Sequence, residues 1–255
     1  MKVAVVGASS GLGRCIAVGL GERGNSVALL ARRKERLQTA AAEAGPSSVA
    51  IECDVTDELS SKTAIDEAAA ELGGLDALVY ATGIGRMGPL VDTTADTWSS
   101  LFATNVTGAA LVTSAAIPHL MESDVRVAVY LSSLSASLTG PWPMLGGYAV
   151  SKAALDKLIE AFTEEHPDIG FTRLAVGDTY GGKGDSQTGF HHDWDPELFT
   201  ESVNVWLERK LMNGGLIHPD HLVGMVTSIL TVGRSSFLPS VTLTPRPPSR
   251  AGAPR

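Results

Sequence analysis

Tyr148 and Lys152 stand four residues apart in Tyr148-Ala149-Val150-Ser151-Lys152, a stretch whose sequence predicts helix, so phenol and ammonium share one helical face. An ammonium beside a phenol favours the phenolate and draws a pKa that starts near ~10 toward neutrality. Such a pair can move a proton in either direction. The same spacing also occurs on solvated helix faces, so the pattern needs support from elsewhere in the chain.

That support lies at the N-terminus. The apolar run Val3 to Val6 breaks into Gly7-Ala8-Ser9-Ser10-Gly11-Leu12-Gly13 and resumes as Arg14-Cys15-Ile16-Ala17-Val18-Gly19-Leu20, which reads as strand, glycine turn and helix. Gly7 permits a tight turn, Gly11 lets backbone approach a pyrophosphate, and Gly13 lets the helix lie close to the sheet with its amide terminus facing the anion. The spacing is G-x-x-x-G-x-G, not the G-x-G-x-x-G of two-domain dehydrogenases. A tight strand-to-helix turn without a ligand is the alternative.

Taken together these segments resemble the short-chain dehydrogenase/reductase family in its single-domain form, from Lys2 to about Pro245. The glycine motif comes first, Asp54-Val55 follows the third predicted strand, Asn105 lies in a mid-chain helix, and Ser133 precedes the Tyr148/Lys152 pair. The resemblance implies a cofactor cradle of Gly7, Ser9, Ser10, Gly11, Leu12 and Gly13, with Asp54 at the adenine edge and Val55 against its ring. Ala81 and Gly83 would lie beside the cofactor, Gly177 and Thr179 would flank its nicotinamide, and Tyr148 and Lys152 would touch it as well. It also implies catalytic roles for Asn105, Ser133, Tyr148 and Lys152: Asn105 holding a water in a proton relay, Ser133 steadying a substrate oxygen, Tyr148 transferring the proton and Lys152 tuning Tyr148. The family's usual serine-to-tyrosine spacing favours Ser135, whereas the strand-end pattern favours Ser133, which is preferred because a serine at a strand end is placed by the sheet.

The chain departs from the family pattern in places. Val6 stands where threonine is usual, Tyr80-Ala81-Thr82-Gly83 replaces an Asn-Asn-Ala-Gly segment, and Val176-Gly177 replaces Pro-Gly. The lost asparagines put the bracing of that loop in question. At the end of the second predicted strand, Ala31-Arg32-Arg33 offers guanidinium groups where an NAD-preferring member offers a carboxylate. Arginines there can fork onto the 2′-phosphate of NADP(H), with Arg32 expected to lead and Arg33 to follow. A solvated charge run opening the next helix is the other reading.

Alternating apolar runs and helical stretches predict an α/β, doubly wound, Rossmann-like fold: a mostly parallel sheet of about seven strands with helices on both faces. The runs are Val3 to Val6, Val27 to Ala31, Val49 to Cys53, Ala77 to Ala81, Val125 to Leu131, Phe171 to Val176 and Ser240 to Leu243. With 255 residues, 44% of them hydrophobic, a single domain over 1–245 is expected, followed by a poorly ordered tail over 246–255. The formal net charge of -8 argues against nucleic acid as a partner. No apolar run reads as a bilayer span, and no signal-like segment opens the chain, so a cytoplasmic protein is expected. Cys15 and Cys53 are expected to stay reduced and to bind no metal.

The segment 177–200 is rich in glycine, then runs Phe190-His191-His192-Asp193-Trp194-Asp195. It is expected to be a flap that chooses the substrate, and the histidines beside aspartates also admit a zinc reading. From Gly177 onward the chain is similar to actinobacterial members of the family. The resemblance further implies a homodimer or homotetramer paired through the Asn105 and Tyr148 helices, with Trp98, Leu101, Phe102, Leu155, Leu158 and Phe162 at the contact or, alternatively, facing their own sheet. The expected activity is NADP(H)-dependent interconversion of a small-molecule carbonyl and alcohol. An epimerase or dehydratase of the extended branch and a non-catalytic NADP(H)-sensing module are the alternatives.

Overall fold

The computed structural model describes residues 1–182, 187–188, 190–191, 193–232 and 235–247. Seven parallel strands form one sheet in the order β3-β2-β1-β4-β5-β6-β7. They are β1 (Lys2–Val6), β2 (Ser26–Ala31), β3 (Ser48–Glu52), β4 (Ala77–Tyr80), β5 (Val127–Ser133), β6 (Gly170–Val176) and β7 (Ser240–Leu243). The helices are α1 (Gly11–Gly21), α2 (Lys34–Ala44), α3 (Glu58–Leu72), α4 (Ala95–Phe102), α5 (Gly108–Met121), α6 (Leu134–Ser137), α7 (Gly146–Glu165), α8 (Pro196–Glu208) and α9 (Pro219–Leu230).

Parallel strands covered on both faces have no water-facing side, which is why their sequences read as continuous apolar runs. Alternate residues serve opposite cores. Val3 and Val5 of β1 join α1, α2 and α9 in one core, while Ala4 and Val6 join α3, α5 and α7 in the other. Strand order reverses direction between β1 and β4, and the cleft where a doubly wound sheet takes its ligand opens beyond the carboxyl ends of these strands.

Local signals explain the element ends. Asp57 caps α3 by accepting the Ser60 N–H at 2.6 Å, and Gly73 closes it in the left-handed region at φ 69°. Between α4 and α5 the chain widens into a π-turn over Ala103–Thr107. The continuous helical segment Ala95–Met121 is, by length and composition, apolar enough to cross a bilayer, contrary to the sequence expectation. Here its apolar face, including Ala109, Val112, Ala116 and Leu120, packs in the core with α3 and α7. Pro245 and Arg246 also lie against the fold: the Asn213 amide donates to the Pro245 carbonyl at 3.0 Å. The rest of the expected tail, from residue 248, lies outside the described residues.

Candidate active site

The glycine turn is built by close approach. Gly7 adopts φ 90°, and a Cβ there would stand 2.6 Å from the Thr82 hydroxyl. A Cβ on Gly13 would meet the Gly7 carbonyl oxygen at 2.4 Å, so α1 can start against the sheet only with glycine at that position. Ser10, the N-cap of α1, makes no side-chain capping bond, and no acidic residue occupies the first turn. The helix therefore presents its amide end and partial positive charge to the cleft.

Gly7, Ser9, Ser10, Gly11, Leu12 and Gly13 all line this cleft of about 690 Å³. At its outer end the Arg33 guanidinium donates to the Ser9 hydroxyl at 2.9 Å and the Ser10 hydroxyl at 2.6 Å. Burial, then Arg36 and Arg32, hold the Arg33 pKa below its ordinary value. Arg32 and Arg33 are both exposed and line the same end. Structure thus ranks Arg33 ahead of Arg32 as the arginine fixed to the glycine loop, the reverse of the sequence order. Asp54 and Val55, after the neighbouring strand β3, also line the cleft. The Asp54 carboxylate accepts the Thr56 N–H at 3.0 Å and hydroxyl at 2.7 Å, and the backbone bond is the chief cause of its lowered pKa.

Ser133, Tyr148 and Lys152 meet at the floor. Ser133 is the last residue of β5, and its hydroxyl is close enough to the Tyr148 phenol to draw the phenol's pKa down. Ser135 is buried and joins Ser133 through a 3.0 Å hydroxyl contact. Tyr148 and Lys152 lie one turn apart on α7 as expected, but the Lys152 ammonium donates to the Leu131 carbonyl at 2.7 Å and stands 6.0 Å from the Tyr148 ring centre. Burial pushes the phenol up to about 12, against the pull of the Ser133 hydroxyl. The expected drop toward neutrality is not found, because desolvation outweighs a lysine pointed at a carbonyl. Burial also lowers Lys152 to about 8, with the Asp156 carboxylate opposing it. Gly83 clears the way: a Cβ there would lie 3.3 Å from the Lys152 nitrogen.

Asn105 sits in the π-turn, fully buried, behind the cleft. Its amide donates to the Ile84 carbonyl and the Ser151 hydroxyl, each at 2.9 Å, and accepts the Ile84 N–H at 2.9 Å. These protein contacts take both amide hydrogens and tie the loop after β4 to α7. Tyr80 supplies the bracing that the altered segment seemed to lose: its buried hydroxyl donates to the Thr104 carbonyl at 2.6 Å, within the turn where widening displaces carbonyls from helical partners. Gly108 makes room, since a Cβ there would stand 2.9 Å from that hydroxyl. Ala81, Gly83, Gly177 and Thr179 all line the cleft.

Phe190, Asp193 and Trp194 reach the loop after β4 and the Tyr148 ring. Phe190 meets Tyr148 edge-on with ring centres 5.1 Å apart, and its ring fills the space that a Cβ on Gly85 would take, 2.5 Å away. The Trp194 indole donates to the Gly85 carbonyl at 3.2 Å, and Arg86 pairs with Asp193 at 2.6 Å. Gly184, Gly189 and His192 lie outside the described residues. Among the described residues no cluster of ligands suited to a metal occurs. Cys15 is half-buried and Cys53 buried, both as thiols, with burial raising Cys53 to about 11.

Sequence reasoning missed two acids. Asp156 follows Lys152 by one helical turn and is buried, accepting from the Ser132 hydroxyl at 2.5 Å and from Arg173 at 3.2 Å. The continued i, i+4 spacing from Tyr148 through Lys152 was the available signal. Asp178 lines the cleft beside Gly177, and burial raises its pKa to about 6.

Of the expected pairing residues, Leu101 and Leu155 are fully buried in their own subunit and unavailable to a partner. Trp98, Phe102, Leu158 and Phe162 are half-buried.

This geometry has known counterparts. The short chain dehydrogenase family model matches residues 1–178. A short chain dehydrogenase of Pseudocercospora fijiensis is 36% identical over 181 residues, 69% of this chain and 58% of that protein's length. A dehydrogenase/reductase structure from Sinorhizobium meliloti superposes with a TM-score of 0.78 at 27% identity, covering 95% of this chain and 92% of the other. An alcohol dehydrogenase from Thermococcus sibiricus, complexed with 5-hydroxy-NADP, shares the fold at 24% identity, with a TM-score of 0.79 and coverage of 98% and 100%. The glycine turn pressed against β1, the serine, tyrosine and lysine gathered at the end of β5, and the match over most of the sequence together make this chain a member of the short-chain dehydrogenase family.

Proposed function

We propose that the protein is an NADP(H)-dependent oxidoreductase that interconverts a carbonyl and an alcohol, with Tyr148 as the acid and base. The observation that carries this reading is one cleft with Arg33 clamped on the glycine-loop serines at one end and Ser133, Tyr148 and Lys152 gathered at the other. The residues fit such a cofactor: the glycine turn leaves a cradle that side chains would fill, the uncapped start of α1 suits a pyrophosphate, and Arg33 suits a 2′-phosphate. That the archaeal fold relative was described with 5-hydroxy-NADP agrees with this choice.

When bound, the nicotinamide supplies or accepts the hydride; this chain's residues handle position and the proton. Tyr148, held neutral by burial, gives its proton to the carbonyl oxygen in reduction and takes it back in oxidation. Ser133 donates a hydrogen bond where negative charge grows on that oxygen. Lys152 remains cationic below about 8 and adds its field from beneath the phenol. Asn105 and Tyr80 hold the loop that flanks the lysine. A homodimer or homotetramer is part of the same proposal; Leu158 and Phe162 pack against their own core, which leaves the half-buried Trp98 and Phe102 as its candidate contacts.

The test is direct. Nicotinamide fluorescence titration should give tighter binding of NADPH than of NADH, and NADPH oxidation should accompany reduction of a carbonyl in a panel of aldehydes and ketones. Equal affinity for the two cofactors would refute the NADP(H) assignment, and turnover undiminished in Tyr148→Phe would refute the mechanism.

A further inference from the structure

From Tyr148 an unbroken succession of aromatic rings lines one side of the cleft. Ring centres are 5.1 Å apart from Tyr148 to Phe190, 5.2 Å to Trp194, 5.6 Å to Phe199, 6.2 Å to Trp206 and 5.0 Å to Trp142. Each step falls within the range of favourable ring pairing. All six rings line the cleft, and three of the chain's four tryptophans are among them. A small core beneath the flap would account for rings that pack only on one another. These do more, since they face the cleft that holds the acid, and Phe199 remains 37% exposed. None of the five beyond Tyr148 belongs to the two cores on the sheet faces.

The polar edges of this wall are turned away. The Trp194 indole N–H is spent on the Gly85 carbonyl and that of Trp206 on the Pro143 carbonyl, at 2.9 Å. The Trp142 indole N–H is buried and has no acceptor among the described residues. Trp206 is only 2% exposed and backs the other rings; what Phe190, Trp194, Phe199 and Trp142 offer a ligand is therefore ring surface, with little hydrogen bonding. Its charges are equally telling. The lysine and arginine side chains among the described lining residues are Arg32 and Arg33 at the glycine-loop end and Lys152 under the phenol. Arg86, near the flap, is paired with Asp193. Asp178 and His191 complete the ionisable groups on this side. Among the described residues, a phosphorylated or carboxylated substrate would find no lysine or arginine on this wall.

We infer that the substrate is an uncharged carbonyl compound, or the matching alcohol, built on a flat aryl or fused-ring skeleton that lies against the Phe190–Trp194–Phe199–Trp206–Trp142 wall with its oxygen at Tyr148 and Ser133. This rests on the proposed oxidoreductase reading. Reduction then transfers a hydride from NADPH to the carbonyl carbon and the Tyr148 proton to the oxygen, leaving NADP+, the alcohol and a Tyr148 phenolate that regains its proton from solvent. Flat skeletons match such walls because ring faces and edges meet without bending either partner, and removing the part-exposed Phe199 ring should weaken binding about two- to tenfold.

The experiment compares 2-acetonaphthone, butanedione and a carboxylated ketone of similar size as substrates for NADPH oxidation. The expected result is kcat/KM at least about tenfold higher for the naphthyl ketone than for either other compound. Phe199→Ala, a change at a part-exposed ring, should shrink the naphthyl-to-butanedione ratio about two- to tenfold. Binding is read separately by quenching of tryptophan fluorescence with 2-acetonaphthone in the presence of NADP, so the outcome does not depend on turnover. Tyr148-dependent reduction of butanedione without preference for the naphthyl ketone would leave the oxidoreductase reading standing and overturn the inference about substrate. Preference for the carboxylated ketone, or no saturable quenching by the naphthyl ketone, would overturn it too.

Discussion

Replacing Asp156 is the sharpest probe of how the fold holds its acid. Its carboxylate lies one turn beyond Lys152, with the side chain 6% exposed, while its partner Arg173 is 22% exposed. It accepts hydrogen bonds from Ser132, Ser137 and Arg173, at 2.5, 3.3 and 3.2 Å, joining β5, α6 and β6 to the catalytic helix. Removing one member of a buried pair costs ~3–5 kcal/mol when the other is stranded. Arg173 is not wholly stranded, since it also donates to Ser240 at 2.9 Å and is reached by water. Asp156→Ala should therefore cost about 2–3 kcal/mol, and Asp156→Asn, which keeps an acceptor for Ser132, about 1–2 kcal/mol.

The same carboxylate acts on Lys152. Burial lowers the ammonium to about 8 and Asp156 holds it up, so neutralising Asp156 lowers it further. Below its pKa Lys152 is charged, and that charge is lost as pH rises through it. In the Asn variant the alkaline limb of the NADPH-oxidation profile should shift to lower pH, while a merely structural loss would move stability alone. Urea denaturation at pH 7 measures the first effect and the pH profile the second. A cost for the Ala variant under about 0.5 kcal/mol, or an unmoved alkaline limb in the Asn variant, would refute the reasoning.

Other expectations follow from individual side chains. Tyr148→Phe should retain NADPH binding and lose at least about a hundredfold in turnover, measured under saturating cofactor. Arg33→Ala should remove more of the preference for NADPH over NADH than Arg32→Ala, because Arg33 is the one fixed on Ser9 and Ser10; fluorescence titration of both variants decides the order. Gly85→Ala places a Cβ where the Phe190 ring now sits, so the flap should be cut faster by protease with little loss of global stability. Asp178 has a folded pKa near 6, above its ordinary value of 3.8, so the native state binds the extra proton and stability falls as pH rises through that window. Asp178→Asn should then stabilise the protein by about 1–2 kcal/mol at pH 8, allowing for solvent screening, and by almost nothing at pH 4, as read by urea denaturation.

The sheet was legible because its signals are local and redundant. Each strand is buried on both faces and so announces itself as an apolar run, and the observed ends of β1 and β7 fall within one residue of the predicted runs. Tyr148 and Lys152 could be placed for the same reason: helical periodicity alone puts them on one face. Ser133 and Ser135 both line the cleft and touch each other at 3.0 Å, so strand-end placement favours Ser133 without separating the two by geometry. Electrostatics were less legible. Four residues of spacing state that the ammonium and phenol are neighbours, but not that Leu131 captures the ammonium or that burial governs the phenol.

What the sequence concealed was assembled across distance. Tyr80 looked like a departure from the family pattern; its purpose emerges only when the π-turn brings the Thr104 carbonyl to its hydroxyl and Gly108 leaves the space. Arg32 and Arg33 are adjacent in sequence, and only the path of the chain after β2 decides which guanidinium returns to the glycine turn. The aromatic wall has the same character. Trp142 stands before α7, Phe190 and Trp194 belong to the flap, and Phe199 and Trp206 lie on α8, so no spacing rule joins them. The proton site is encoded by short-range periodicity within one helix, whereas the surface that selects what reaches it is encoded by packing between segments up to 64 positions apart, from Trp142 to Trp206. On the proposed reading, substitutions at Phe190 or Trp194 should change the substrate while leaving the Ser133, Tyr148 and Lys152 scaffold in place, because that scaffold is held from behind by Asp156, Asn105 and the sheet.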